Sequence, residues 1–517
     1  MQKKTVLQAL ADAVELARDE TFLIDGERKV SFEEVNQISD RVASGLLRKG
    51  IGRGDRIGII ALNQLEWLCT FFAAAKIGAS LVTLNVRYRE TELEYMLNNA
   101  EVKAVVSLAE FQDFHYKDFF RNNIHKFPSL EQFFYIGGEE DTFHKLIEES
   151  INESALLEAR SEVTEEDTVL IIYTSGTTGK PKGAMISNQS LLASAQAQTE
   201  HFKVTNSDRA IGGLPFNHVG GITCTIMVAL LSRSSVVLIP SFRPDLVLEA
   251  IEKHKATIFG GVPTMYVMLL SMPEQEKYDL GSLKLCIVGG SNVEPKLCDM
   301  ITNRIPNGQL VNLYGLSETS GACVLSTLKD DSSKVQETIG VAIGDFAIRV
   351  LDPDGKELEG EVGELVIKGG CVGKGYYGLK EATMETFKDG WLYTGDMVSK
   401  DAEGYIYFKG RKKEMYLTGG FNVFPVEVEN VLTKHPGVQL AAGFGIPDSN
   451  LGEVGVFYVV PEKGKSLTES ELKDFCSRQL ADYKIPRQFI IVDQVPLTPA
   501  GKVQKALLME SFKQQKV

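Results

Sequence analysis

The chain is poor in the residues that build metal and disulfide sites: 517 residues hold seven cysteines and seven histidines. No two cysteines stand in C-x-x-C spacing, their number is odd, and the histidines show no metal-ligand spacing. This speaks against a disulfide framework, a zinc motif or a dithiol redox site, and it fits reduced, mostly buried thiols in a cytoplasmic protein. Positive charge is scarce as well, with 55 Lys and Arg against 69 Asp and Glu. A net charge of -14 argues against nucleic-acid binding, so an anionic ligand has to be held by local positive charge. No apolar run reaches the roughly 18 residues of a membrane span. The longest candidate, Trp67 to Val82, is broken by Lys76 and Gly78 and reads as a core helix running into a strand. The first residues lead into a helical pattern carrying Asp12, Glu15 and Asp19, which lacks signal-peptide character. There is no internal repeat and no low-complexity segment. Two familiar phosphate motifs are also missing. A P-loop needs a glycine five positions before Gly179, where Thr174 stands, and a hydroxyl after Lys180, where Pro181 stands. A dinucleotide fingerprint starting at Gly443 and Gly445 fails at Asp448.

What is present centres on Thr174-Ser175-Gly176-Thr177-Thr178-Gly179-Lys180-Pro181-Lys182-Gly183, which follows the apolar run Thr168 to Tyr173. The run reads as a buried strand. Beyond it, glycines let the backbone curl so that its N–H groups face an anion, while hydroxyls add donors and two lysines supply charge. A core has no use for ten such small or polar residues, so the stretch reads as a polyphosphate cradle.

Around it, helix and strand signals alternate. Thr5 to Arg18 reads as an amphipathic helix, and Ser31 to Glu34 as a capping box. Strands are expected at Arg56 to Ala61, Ala79 to Leu84 and Val102 to Ser107, with a helix from Leu65 to Ile77. A second series has strands at Ala210 to Leu214, Ser235 to Ile239, Thr257 to Gly260, Leu285 to Val288 and Gln309 to Leu313. This rhythm means an α/β fold with doubly wound parallel sheets. The acidic stretch from Glu139 to Asp167 reads as a solvated helix and loop rather than a regulatory surface. After Gly340, short β runs and the turn Asp352-Pro353-Asp354-Gly355 suggest a small β-barrel-like subdomain. A last boundary near Lys409 to Lys413 divides residues 1–409 from a compact α+β unit, 410–517, with a helix capped by Thr468 and Glu471.

Further clusters fall at the ends of expected strands, where open α/β sheets place ligands. Tyr314-Gly315-Leu316-Ser317-Glu318-Thr319 offers an aromatic face for a base and a carboxylate suited to Mg2+ among phosphate oxygens. Gly289-Gly290-Ser291 lets a flat ring or an acyl chain lie against backbone. His218 stands at a strand–helix junction; on its own it is as readily structural as functional. Trp391 to Asp396 ends in an acid that reads as exposed, placed either to accept both hydroxyls of a ribose or to hold a turn. Lys502 lies in a Pro-Ala-Gly loop near the C-terminus, where a lysine is presented to a ligand or to solvent. No Ser-His-Asp or paired-acid constellation is evident.

In order and approximate spacing these motifs resemble, from end to end, the adenylate-forming superfamily to which acyl-CoA synthetases belong. Ser317 is one departure, since many members carry Thr there; the hydroxyl is kept. The resemblance implies an acid–thiol ligase using ATP, Mg2+ and coenzyme A. It makes Thr174, Ser175, Gly176, Thr177, Thr178, Gly179, Lys180 and Lys182 the phosphate loop. It puts Ser291, Asn312 and Tyr314 around the adenine, makes Gly290, Gly315 and Ser317 cofactor-binding as well, and puts Asp396 and Arg411 on the ribose. Glu318 becomes the metal ligand, Thr319 touches the α-phosphate, and His218 gates the acid pocket. Lys502, carried on a mobile C-terminal domain, bridges acid and phosphate, with a hinge near Lys413. Gly419 and Gly420 line the thiol tunnel. The apolar stretches Val219 to Met227 and Gly260 to Tyr266 imply a fatty, medium- or long-chain, or similarly apolar acid. An aryl- or carnitine-type ligase, a carrier-protein loader or a noncatalytic homologue are the competing readings. The expected partners are small molecules, with the oligomeric state left open, a homodimer included.

Overall fold

The structure, a computed structural model, describes residues 4–138, 141–148, 150–174, 180–290, 293–497 and 503–515. The described residues build four sheets. In the first, the strands run in the order Gln132–Ile136, Ala104–Leu108, Arg56–Ile60, Ser80–Leu84, Thr168–Thr174, Lys182–Ser187. Neighbours are parallel except the last pair, an antiparallel hairpin in which Thr174 faces Lys182. Ser80–Leu84 is buried along its whole length, as a parallel strand covered on both faces must be. The stretch read as a phosphate cradle joins these two strands in sequence, and its residues 175–179 lie outside the described residues.

The second sheet runs Val341–Ala342, Gly321–Leu325, Gln309–Leu316, Leu285–Gly289, Ile258–Gly261, Arg209–Gly212, Ser235–Leu238, Thr21–Asp25, Arg28–Ser31. Its middle strands are parallel, so Gly212, Gly261, Gly289 and Leu316 end along one edge. The N-terminal strand Thr21–Asp25 pairs in parallel with Ser235–Leu238. Local periodicity says nothing of this pairing, because a strand pattern carries no information about a distant partner.

Helices Val6–Ala17, Phe32–Arg48, Leu65–Lys76 and Asn188–His201 share one core with residues of both sheets. Thr5 closes a capping box on the first of them, and Ser31 caps the second by accepting from Glu34 N. Leu65–Lys76 buries 11 of its 12 residues, the behaviour of a helix apolar on every side. Its last residue, Lys76, is an ammonium taken out of water. It bonds the Asn36 carbonyl at 2.8 Å, Ser39 Oγ at 2.7 Å and Asp40, which also pairs with Arg160.

The third sheet joins Ala347–Leu351, Gly363–Lys368, Trp391–Lys400, Phe387–Lys388 and Ile406–Arg411, all antiparallel. A tight turn over Lys412 to Glu414 then leads to Tyr416–Thr418, the start of the fourth sheet. There, Phe421–Val423, Tyr416–Thr418, Gly452–Pro461, Val438–Asp448 and Gln488–Ile491 assemble with helices Pro425–Leu432, Glu469–Ser477 and Lys505–Gln515 on cores of their own. Thr468 caps Glu469–Ser477 by accepting from Glu471 N. Among the described residues, no helix is long and apolar enough to cross a membrane.

Candidate active site

Two clusters form where the strand edge of the second sheet meets the third sheet. In the first, Tyr314 donates its hydroxyl to Asp396 Oδ2 at 2.5 Å, and Arg411 Nε lies 2.6 Å from Asp396 Oδ1. Asp396 and Arg411 face each other across adjacent antiparallel strands, and register alone puts them together. Asp396 is not the exposed acid its sequence context suggested: its side chain is 0% exposed. The sequence reading assigned it to a strand end, whereas the strand continues to Lys400 and Tyr314 closes over it. Burial, and then the Asp396 charge, pushes the Tyr314 hydroxyl far above its ordinary range, so it remains a donor.

In the second cluster, Tyr376 donates to Glu318 Oε1 at 2.7 Å, and Lys182 Nζ sits 5.0 Å from the centroid of the Tyr376 ring. Lys180 Nζ lies 5.6 Å from the ring centroid of Tyr95, whose hydroxyl donates to the Pro181 carbonyl at 3.0 Å. Thr174 Oγ1 reaches the Lys182 carbonyl at 3.4 Å. Ser175, Gly176, Thr177, Thr178, Gly179, Ser291 and Lys502 lie outside the described residues.

Thr319 follows Glu318 in the same turn. It is fully buried, and its hydroxyl accepts from Leu316 N at 2.9 Å and reaches the Gly321 carbonyl at 2.8 Å, holding the turn that carries Glu318. Asn312 is likewise buried, its amide donating to the Thr338 carbonyl at 3.1 Å. Ser317 is buried beside them. Gly315 is required by close approach: a Cβ there would lie 2.1 Å from the Gly321 carbonyl oxygen. Gly290 adopts φ +85° after its strand.

His218 is exposed and caps the short helix Val219–Gly221, accepting from Gly220 N at 3.2 Å. Ile222–Met227 continues as a π-helical turn, a distortion common at functional sites. The Leu214 side chain lies against both Gly220 and Gly260, so the two apolar stretches read as pocket walls meet around it. Gly419 and Gly420 form an exposed turn, and Lys413 is exposed in the connection to the fourth sheet.

Sequence reasoning missed charges within the last sheet's unit and others between it and the rest of the chain. Lys505 Nζ binds Glu414 Oε2 at 2.8 Å and Glu429 Oε1 at 2.9 Å. Lys296 pairs with Glu462, and Glu294, the cap of helix Pro295–Arg304, faces Glu429. Burial, then Glu429, pushes the Glu294 carboxyl up to about 7. Lys505 closes the Lys502 motif, three residues on; its position was the only available signal. Tyr376 was missed too, though Gly373, Gly375 and an aromatic after a strand repeat the texture of the other sites.

Among the described residues no three His, Cys, Asp or Glu converge as a metal site, and all seven cysteines are free, six of them buried. A lone, half-buried carboxylate such as Glu318, with one oxygen held by Tyr376, fits a cation that takes its other ligands from phosphate and water.

Fold and site together define a nucleotide-dependent enzyme with a large α/β portion and a small C-terminal one. A family model described as "AMP-binding enzyme" matches residues 10–377, and one described as "AMP-binding enzyme C-terminal domain" matches residues 427–502. The chain is 32% identical to a 3-[(3aS,4S,7aS)-7a-methyl-1,5-dioxo-octahydro-1H-inden-4-yl]propanoyl:CoA ligase of Rhodococcus jostii (strain RHA1), over 99% of both chains. It is 31% identical to a long-chain-fatty-acid–CoA ligase of Bacillus subtilis (strain 168), over 99% of this chain and 95% of the relative. The crystal structure of ATP-bound MatB from Rhodopseudomonas palustris superposes with a TM-score of 0.87 at 29% identity, over 98% of this chain and 99% of that one. The chain belongs to the AMP-binding enzyme family, within the adenylate-forming superfamily, and is an AMP-forming acid–CoA ligase.

Proposed function

We propose that this chain activates a fatty or similarly apolar carboxylic acid as its acyl-adenylate and passes the acyl group to coenzyme A. The observation that carries the reading is the Tyr314–Asp396–Arg411 cluster, read as the nucleoside end, together with Glu318, Tyr376 and Lys182, read as the phosphate end, the Arg411 charge reaching both Glu318 and Tyr376. Asp396 accepts the ribose hydroxyls, the task acids take in other nucleotide sites. Arg411 orients Asp396, and the Tyr314 ring stacks on the base. The hairpin from Thr174 to Lys182 holds the polyphosphate. The leucine-lined junction of His218–Met227 with Gly260–Tyr266 takes the acid, and its lack of charge supports an apolar chain.

The reaction sets an anionic nucleophile against an anionic phosphate. Two unit charges about 4 Å apart repel by about 4 kcal/mol at an effective dielectric of about 20. Lys502 cancels much of that repulsion and bridges the carboxylate to the α-phosphate, positioning it for in-line attack. Glu318 would hold a Mg2+, which would supply charge neutralisation for the phosphates when bound. No general base is needed, since the acid is already ionised near neutral pH. For the thiol step, the unit 410–517 turns on a hinge at Lys413, withdrawing Lys502 and bringing Gly419 and Gly420 to the thiol path. The cytoplasm, where ATP and coenzyme A are at hand, is the proposed setting.

The test is acid-dependent pyrophosphate exchange and thioester formation across fatty, ring-bearing and amino acids, in the parent and in Lys502→Ala. The expected result is a preference for apolar chains. In the variant, exchange should be lost while thioester formation from supplied acyl-adenylate persists. Equal loss of both half-reactions would overturn the role of Lys502, and a preference for amino acids would overturn the substrate class.

A further inference from the structure

Tyr376 belongs to neither motif it touches. The segment Gly373 to Tyr377 lies along the hairpin strand Lys182–Ser187: Lys374 N donates to the Met185 carbonyl, Met185 N to the Gly375 carbonyl and Tyr377 N to the Gly183 carbonyl, each at 2.9 Å. Gly373 N donates to the Glu318 carbonyl at 2.8 Å, so the same segment also holds the turn that carries Glu318. Gly375 sits at φ +110°, where Thr383 occupies the space a Cβ would need, and Thr383 Oγ1 accepts from Tyr376 N at 2.9 Å. Phe387 packs on the edge of the Tyr376 ring, with centroids 5.8 Å apart. The ring, 7% exposed, is thus fixed on every side.

Its two functional contacts point in different directions. The hydroxyl donates to Glu318 Oε1, and the face holds the Lys182 ammonium. Lys182 and Glu318 have opposite charge and would neutralise each other in direct contact. No ion pair joins them; the tyrosine stands between.

We propose that Tyr376 is a positioning residue for the metal–nucleotide complex. Its hydroxyl holds Glu318 through Oε1, so that Oε2 would be the oxygen to hold a cation, and its ring keeps Lys182 from collapsing onto that carboxylate. Lys182 then stays available to a phosphate oxygen. The inference rests on the reading of Glu318 as cation ligand and of the hairpin as phosphate site.

Calorimetric binding of ATP without acid, in Mg2+ and in EDTA, separates these roles in Tyr376→Phe, Tyr376→Leu and Glu318→Gln. Tyr376→Phe keeps the ring; the Mg2+ concentration at half-saturation should rise about tenfold, while ATP binding in EDTA stays within twofold of the parent. Tyr376→Leu should also weaken ATP binding in EDTA, because Lys182 is then drawn to Glu318. Glu318→Gln should raise the Mg2+ requirement at least as much as Tyr376→Phe. If Glu318→Gln shifts the requirement and Tyr376→Phe does not, the proposal fails while the site stands. If Glu318→Gln leaves it unchanged, the reading of Glu318 fails. Should Tyr376→Leu not fold, Tyr376→Phe decides alone.

Discussion

Asp396→Asn removes one negative charge from the nucleoside end of the crevice and leaves the side-chain shape intact. In the parent, the carboxylate is fully buried, with the Arg411 guanidinium at 2.6 Å and the Tyr314 hydroxyl at 2.5 Å. Hydrogen bonds to a charged group contribute about 1.5–3 kcal/mol and neutral ones about 0.5–1.5 kcal/mol. Losing the charge therefore costs about 1–1.5 kcal/mol for each ribose hydroxyl. Two hydroxyls make about 2–3 kcal/mol, or roughly 30- to 150-fold in ATP affinity. Stability falls less. Arg411 is 46% exposed and regains water when its partner is neutralised, so a loss of about 1 kcal/mol is expected. ATP titration by calorimetry gives the first quantity and urea denaturation the second. Tyr314→Phe serves as a control, keeping the charge and losing only one donor. If Asp396→Asn bound ATP within threefold of the parent while remaining folded, the ribose assignment would be refuted.

Glu294→Gln probes the docking of the C-terminal unit. The Glu294 carboxyl is raised from 4.5 to about 7, which means it supports the folded, docked state below about pH 4.5 and withdraws that support as pH rises through about 7. Relative to the parent, Glu294→Gln should therefore gain stability from pH 5 to 8, by about 3 kcal/mol at most; a pH-independent difference in denaturation midpoints would contradict this. Lys76→Met probes the core. Burial, opposed by Asp40, lowers the Lys76 ammonium from 10.5 to about 8, so the folded chain sheds a proton there that the unfolded one keeps. The parent should then gain stability over Lys76→Met between about pH 8 and 10.5 and show no such trend below 8; parallel pH profiles of the two would sink the assignment.

The parts of this molecule that were legible in the sequence are the local ones. Helix Val6–Ala17 announced itself through its amphipathic pattern, and the central strands through apolar runs. The glycines, hydroxyls and lysines from Thr174 to Gly183 read as a phosphate cradle by composition alone, and residues 175–179 lie outside the described residues. What stayed hidden depends on pairing across long separations. Asp396 read as an exposed acid, whereas Tyr314, 82 positions away, bonds it and it is buried. The hydroxyl of Thr319 and the amide of Asn312 turned out to serve the backbone, since a polar side chain gives no sign of its partner until burial forces it to find one. Thr21–Asp25 crossed to the second sheet for the same reason: register with Ser235–Leu238 is a property of two segments. Tyr376 escaped because its role is to separate two motifs, and it carries the signature of neither.

The most direct test of the chemistry follows the acid's own oxygen. Give the enzyme a preferred acid labelled with 18O in both carboxylate positions, together with ATP and coenzyme A, and analyse the products by mass spectrometry. Attack on the α-phosphorus followed by thiol displacement leaves one 18O in AMP, one in the thioester and none in pyrophosphate. Unlabelled AMP, or ADP accompanied by labelled orthophosphate, would contradict it.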